Sequence, residues 1–269
     1  MSCRHPSQAV LIEFLHMDNY MTPRAGPSRP PSDDRLPRYQ QLRDDLVHRI
    51  AGGEWAPGDA IHTEAELSQA YGVSTGTLRK AIDLLVAEGV LTRSQGKGTF
   101  VRRPRFDSSL FRFFRFKSRD GAQVLPTARI VSRQLEMPDA AVRSGLGLGA
   151  RAKAIHLSRL RLIDAKPVLA EEIWLPKEGF ESLLALPLDG FGDLLYPLYE
   201  SLCRQVVATA RETLVVEQAD RDLAKTLGMP TASPVIHVHR TALNFAGRPI
   251  EWRSTRGAAT GFQYEIEIR

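Results

Sequence analysis

The chain has 269 residues, 43% of them hydrophobic and 25% charged, with a formal net charge of +5. These proportions exclude a wholly disordered or collagen-like chain, and no apolar run approaches the roughly 18 residues that cross a membrane. Two cysteines, Cys3 and Cys203, exclude a disulfide framework and a four-cysteine zinc site and point to a reducing, cytoplasmic setting.

Residues 1–35 are crowded with Pro and Ser near their end and read as a disordered extension. From Arg79 to Arg119 there are eleven Lys/Arg against three acids, an excess suited to a polyanion such as nucleic acid. Between Leu36 and Glu66 the balance reverses, with three bases and six acids.

Residues 36–104 read as a helical unit closed by a hairpin. Leu42, Leu46 and Ile50 recur every four residues, the stripe of a helix over about 39–51 stopped by Gly52-Gly53. Thr63 followed by Glu66 is a capping box, and a short helix runs from it to Tyr71 before Gly72. Ser74 caps a third helix over 75–87, whose apolar face is Leu78, Ile82 and Leu85. Strands over 90–93 and 99–102 flank Ser94-Gln95-Gly96-Lys97-Gly98, where glycine allows the turn. Two helices joined by Gly72-Val73-Ser74, with a basic hairpin beside the second, make a winged helix-turn-helix.

Residues 105–120 interleave five Phe with basic residues. They read as a linker that docks its rings on the next unit, with stacking on single-stranded nucleic acid as the alternative. Residues 121–269 read as α+β, a mostly antiparallel sheet with flanking helices. Strands are expected over 124–133, 154–163, 168–175, 206–216, 235–245, 249–253 and 262–268, and helices over 139–146, 178–186, 192–203 and 220–227.

Residues 37–101 resemble the winged-helix domain of the GntR family of bacterial transcription regulators. The remainder resembles the UTRA domain of its HutC branch, on the strength of Arg159-Leu160-Arg161, the run EEIWLP at 171–176, ADRDLAKTLGMP at 219–230 and the closing run from Pro249-Ile250-Glu251 to Tyr264. That resemblance implies a chorismate lyase-like sensor fold and a homodimer on a pseudo-palindromic operator of double-stranded DNA. It also implies a third helix in the major groove and a wing tip in the minor groove. The DNA-contact candidates are Arg43, Thr63, Glu64, Ser74, Thr75, Gly76, Thr77, Arg79, Lys80, Gln95, Gly96, Lys97 and Gly98. Many relatives carry Arg where this chain has Ala65 and Thr75, so guanine readout rests chiefly on Arg79. Solvent exposure without base contact is the plainer reading of Arg79, since a surface helix position needs no partner.

In the second unit the resemblance points to Arg159, Arg161, Glu171, Glu251 and Tyr264 as an effector pocket. Arg159 and Arg161, two apart on a strand, share one face and suit a small anion, an organic acid or a phosphosugar. Glu171, on the neighbouring strand, is expected to accept hydrogens from the ligand; the plainer reading is cross-strand Arg–Glu pairing. His237 and His239 sit at metal-ligand spacing with no local third ligand, so packing is the expected role. The reading is a ligand-responsive repressor that needs no cofactor, metal or membrane. Its rivals are a DNA binder without a ligand and a lyase-like enzyme, the latter disfavoured because nucleophile and phosphate-loop motifs are missing.

Overall fold

The computed structural model describes residues 35–103, 125–260 and 262. Apart from residues 35 and 262, the expectations for the N-terminal extension, the Phe-rich linker, Tyr264 and a strand over 262–268 fall on residues outside this set.

The first unit orders α1 (Arg38–Ala51), α2 (Glu64–Tyr71), α3 (Thr75–Ala87) and the hairpin β1 (Leu91–Ser94) and β2 (Gly98–Val101). The expected stripe of α1, Leu42, Leu46 and Ile50, is buried, and Leu46, Ile50 and the adjacent Val47 pack in one cluster with Leu78, Ile82 and Leu85 of α3. The capping box forms in both directions: Glu66 N–H donates to Thr63 Oγ1 at 3.3 Å, and Thr63 N–H donates to Glu66 Oε2 at 2.8 Å. Gly72, at φ 62°, ends α2 in the left-handed region and turns the chain into α3. Ser74 caps α3 by accepting from Thr77 N–H at 3.2 Å.

The second unit is a six-stranded antiparallel sheet in the order β3-β4-β5-β8-β7-β6. Its strands are β3 (Thr127–Glu136), β4 (Ala154–Ile163), β5 (Lys166–Pro176), β6 (Thr209–Gln218), β7 (Pro234–Leu243) and β8 (Pro249–Ala258). β4 and β5 are joined by Asp164-Ala165 alone, both at positive φ, which is the two-residue turn whose twist matches a hairpin. On one face Ile155, Leu157, Ile173 and Leu175 form a core with Phe180, Leu183, Phe191, Leu195 and Tyr199, the last two carried by α5 (Leu195–Cys203). On the other face α6 (Arg221–Leu227), capped by Asp220, packs Leu223 and Ala224 near Val235 and Ala170. The short helix α4 (Ala140–Gly145) brings Gly145 so close to Trp252 that a Cβ there would lie 2.6 Å from the indole. The two units touch at the β7–β8 turn, where Phe245 packs on the winged-helix core.

Several expected boundaries move. β3 begins three residues later than expected, and its pairing with β4 shifts between Ile130 and Ser132, a bulge that no hydropathy pattern announces. The helix expected over 178–186 is a 3-10 turn, Glu181–Leu184, and a second 3-10 turn follows Pro187. Proline fixes φ and lacks the N–H a continuing helix needs. β8 runs five residues past the expected end at Arg253.

Candidate functional site

The exposed N-terminal half of α3 lies on the same unit as the wing tip. Ser74, Thr75, Gly76, Arg79 and Lys80 are exposed, and Thr77 is half-buried. The wing turn is closed by Lys97 N–H donating to Ser94 O at 3.0 Å, with Gly96 at φ 72° and Gly98 at φ 122°. Gln95 through Gly98 are exposed, so the Lys97 ammonium stands clear of the core.

The charges on this face hold one another. Arg79, 59% exposed, donates through Nε and Nη2 to Glu64 Oε2 at 3.0 and 2.8 Å. Glu64 also meets Arg93 of β1 at 3.4 Å, and Arg93 pairs with Asp83 of α3 at 2.5 Å. One carboxylate at the start of α2 thus ties the third helix to the wing. Lys80 lies over the Tyr39 ring at 4.0 Å. Arg43 is engaged elsewhere: it forks onto Glu88 at the C-terminus of α3 and reaches Asp44.

The second candidate is a charge centre inside the sheet domain. Along β4 the inward face reads Ile155, Leu157, Arg159, Arg161, so the core turns abruptly from apolar to cationic. Arg159 is 1% exposed and Glu171 0%. Arg159 Nε donates to Glu171 Oε2 at 2.5 Å. Arg253, two strands away on β8, reaches Glu171 at 3.5 Å and Glu251 at 2.6 Å. Tyr199 and Tyr196 of α5 donate to Glu251 at 2.8 and 3.1 Å, and Arg240 of β7 pairs with Glu212 of β6. Burial pushes the Glu171 carboxyl up, but the neighbouring Arg159 and Arg253 more than reverse this and hold it at about 2.

Four expected residues, Arg159, Arg161, Glu171 and Glu251, therefore lie on one face. Glu171 makes the cross-strand Arg–Glu pairing of the plainer reading. Both its oxygens face donors of the protein, Arg159 on one side and Thr255 and Arg253 on the other. What the centre leaves open is donors: Arg159 Nη1, Arg161 Nε and Arg253 Nε are buried without a hydrogen-bond partner. Arg161 donates to a carbonyl, Asp193 O, at 2.6 Å, and desolvation together with Arg159 and Arg253 lowers its proton affinity. Arg253, Arg240, Thr255 and the two tyrosines were not anticipated. The spacing Glu251, Arg253, Thr255 was the available signal, because residues two apart on a strand share a face.

The opposite face carries different chemistry. Glu172 alternates away from Glu171 and accepts from His156 and Ser158, and the His156 ring stacks on Trp174 at 4.0 Å. His237 and His239 pack ring to ring at 3.8 Å, with His237 bonded to Glu217 and Ser254. Among the described residues no helix is long and apolar enough to cross a membrane.

Comparison with known proteins adds independent findings. Residues 38–101 match the bacterial regulatory proteins of the gntR family, and residues 122–263 match the UTRA domain. A probable fructoselysine utilization operon transcriptional repressor of Escherichia coli is 29% identical over 212 residues, covering 79% of this chain and 86% of that protein. The HTH-type transcriptional repressor NagR of Bacillus subtilis is 29% identical over 210 residues, covering 77% and 84%. The crystal structure of a possible transcriptional regulator, YydK of Bacillus subtilis, shares the fold with a TM-score of 0.50 at 17% identity, over 87% of this chain and 100% of that one.

Proposed function

The chain belongs to the gntR family of bacterial regulatory proteins that carry a UTRA domain, and from that premise we propose how it grips DNA and how a small molecule loosens the grip. It is a DNA-binding transcription regulator of the repressor type. Its relatives are regulators, and we read it as a cytoplasmic regulator with no catalytic role.

The single observation that carries the DNA reading is the exposed Arg79 in mid-α3, on the same unit as an exposed Gly96-Lys97-Gly98 tip. Arg79 reads a guanine edge, with Ser74, Thr75, Gly76 and Thr77 against the backbone and neighbouring bases. Lys97, with Gln95 and the two glycines, enters the minor groove, and Lys80 serves phosphates. Thr63 and Glu64 hold the start of α2, and Glu64 aims Arg79 by the pair it makes. Two copies bind a pseudo-palindromic operator with half-sites about 34 Å apart.

The effector is a small anion taken by the arginine centre, an organic acid or a phosphosugar. The unpartnered N–H groups of Arg159, Arg161 and Arg253 support this, because buried donors without acceptors are costly until something fills them. The β7–β8 hairpin carries Arg240, Glu251 and Arg253 and meets the winged-helix core through Phe245, which supports a direct route between the sites. The effector changes operator affinity by its differential affinity for the two arrangements.

The test is fluorescence anisotropy with duplexes from the protein's own promoter region against random duplexes at physiological ionic strength. Preference for the former, reversed by an anionic metabolite, is the expected result. Equal binding to both, with and without metabolite extract, overturns the reading.

A further inference from the structure

We propose that Ser254 is a covalent modification site, an activated serine that takes a small acyl group from an activated ester, one event per chain. This goes beyond the regulator reading and stands apart from it.

The sheet face away from the arginine centre carries side chains that the regulator reading leaves unused. Glu217 of β6, His237 of β7 and Ser254 of β8 lie on three adjacent strands, stepped along one diagonal of that face. His237 Nε2 lies 2.6 Å from Ser254 Oγ, and His237 Nδ1 lies 3.1 Å from Glu217 Oε2. A carboxylate only accepts, so the neutral imidazole carries its hydrogen on Nδ1. Nε2 is then the bare nitrogen, and the Ser254 hydroxyl donates to it. Nucleophile, base and orienting carboxylate thus stand in the order that activates a serine hydroxyl. His156, on the same face, is built otherwise: Glu136 meets its Nδ1 and Glu172 its Nε2, so neither nitrogen is left to draw a proton from a hydroxyl. The sheet holds the diagonal rigid, since β7 and β8 are each paired on both sides.

The surroundings suit a small, uncharged acyl group. Ser254 is only 7% exposed, which limits the size of what reaches it. His239, directly opposite Ser254, and Trp252 wall one side, their rings 5.7 Å apart. Burial, with His237 and Arg256 adding to it, lowers the proton affinity of His239, so this wall is uncharged at neutral pH. Arg256 lies directly opposite His237 and two residues from Ser254, on the same face, and among the described residues only its Nη1 is engaged, with Asp220 at 3.3 Å. In the step, Ser254 Oγ bonds to the acyl carbon while its proton passes to His237 Nε2. The carbonyl oxygen takes up negative charge on the side of Arg256, where a fixed cation stabilises it. The carbonyl re-forms as the bond to the leaving oxygen breaks, and His237 returns the proton to that oxygen. The products are an ester at Ser254 and a free alcohol, with nothing oxidised or reduced.

The experiment incubates the full chain with p-nitrophenyl acetate, follows nitrophenol release by absorbance, and subtracts the release given by Ser254→Ala. A compact fluorophosphonate, whose adduct persists, maps the reacting residue by mass spectrometry. The expected result is a label on Ser254 and Ser254-dependent release in the wild type. His237→Gln and Glu217→Gln are each expected to slow both by about a hundredfold or more, the measure of a lost base or of its orienting partner. The Glu217 side chain is 37% exposed, so its replacement spares the fold even if that of His237 does not, and a thermal melt checks both. A wild-type chain that carries no label at Ser254 overturns the proposal. So does labelling that proceeds equally fast in Glu217→Gln and in a folded His237→Gln, because that is a hydroxyl reacting without a base. Operator binding is not the readout, so either failure leaves the regulator reading as it stands.

Discussion

The two halves of the molecule spend their charges in opposite ways. In the winged unit the arginines stand on the surface over an apolar core, as Arg79 and Arg93 do around Glu64. In the sheet domain Arg159, Arg161 and Arg253 are among the most buried side chains. An exposed pair is soft, worth little to stability and free to be exchanged for a phosphate or a base edge. A buried pair is rigid: breaking it strands a charge in a medium that cannot solvate it. The same residue type therefore builds an exchangeable surface in one unit and a rigid interior in the other.

The sharpest way to break this contrast is to remove one partner on each side. Glu171→Gln leaves Arg159 without its carboxylate and Arg253 with Glu251 alone, and is expected to destabilise the sheet domain by about 3–5 kcal/mol in a denaturant melt. Arg79→Ala is expected to leave the melt within about 0.5 kcal/mol. Equal losses in the two variants would erase the distinction. Next in size is binding. Arg79→Ala is expected to cost about 1–3 kcal/mol of operator affinity and to relax discrimination at one base pair. Lys97→Ala should weaken all duplexes alike and flatten the salt slope by about one. If Arg79→Ala binds the operator as wild type does, α3 is not the reading helix.

The pH dependence sharpens the picture of the interior. Glu171, held at about 2 against an ordinary value near 4.5, contributes stability above that ordinary value and loses it as pH falls from about 4.5 toward 2. His156 runs the other way. Burial pushes its proton affinity down, but the bonds to Glu172 and Glu136 push it further up, leaving it above the ordinary 6.5. Its contribution is complete below 6.5 and is lost as pH climbs through the raised value. Thermal melts across pH should fall off at both ends, and His156→Gln should flatten only the alkaline limb. The smallest expected effect is local. Ala165 sits at φ 62° in the β4–β5 turn, where a Cβ is strained, and Ala165→Gly should raise stability by about 0.5–1 kcal/mol unless the turn rearranges.

Legibility in the sequence followed the range of the forces. The capping box at Thr63 and Glu66, the Gly72 turn and the span Thr75–Ala87 were readable because each is settled by contacts within one or two turns of chain. The bulge of β3 between Ile130 and Ser132 was not readable, because it depends on what lies across the strand. Arg253 was missed for a related reason. β8 is a central strand with one face in a polar centre, so the alternation of Ile250-Glu251-Trp252-Arg253 gives way to the all-polar Ser254-Thr255-Arg256, and the charged positions read as an outward face although they are buried.

By itself the sequence determined a winged helix-turn-helix, a mostly antiparallel sheet domain behind it, and an arginine pair on one face of a strand. Periodicity, caps and turns are local and are written residue by residue. Only the tertiary structure decided that Glu171 pairs with both Arg159 and Arg253, and that Arg253 of β8 joins the arginine pair of β4. Those outcomes depend on strand order and register, which bring together residues more than eighty positions apart, and no pattern along the chain encodes which strand will lie beside which.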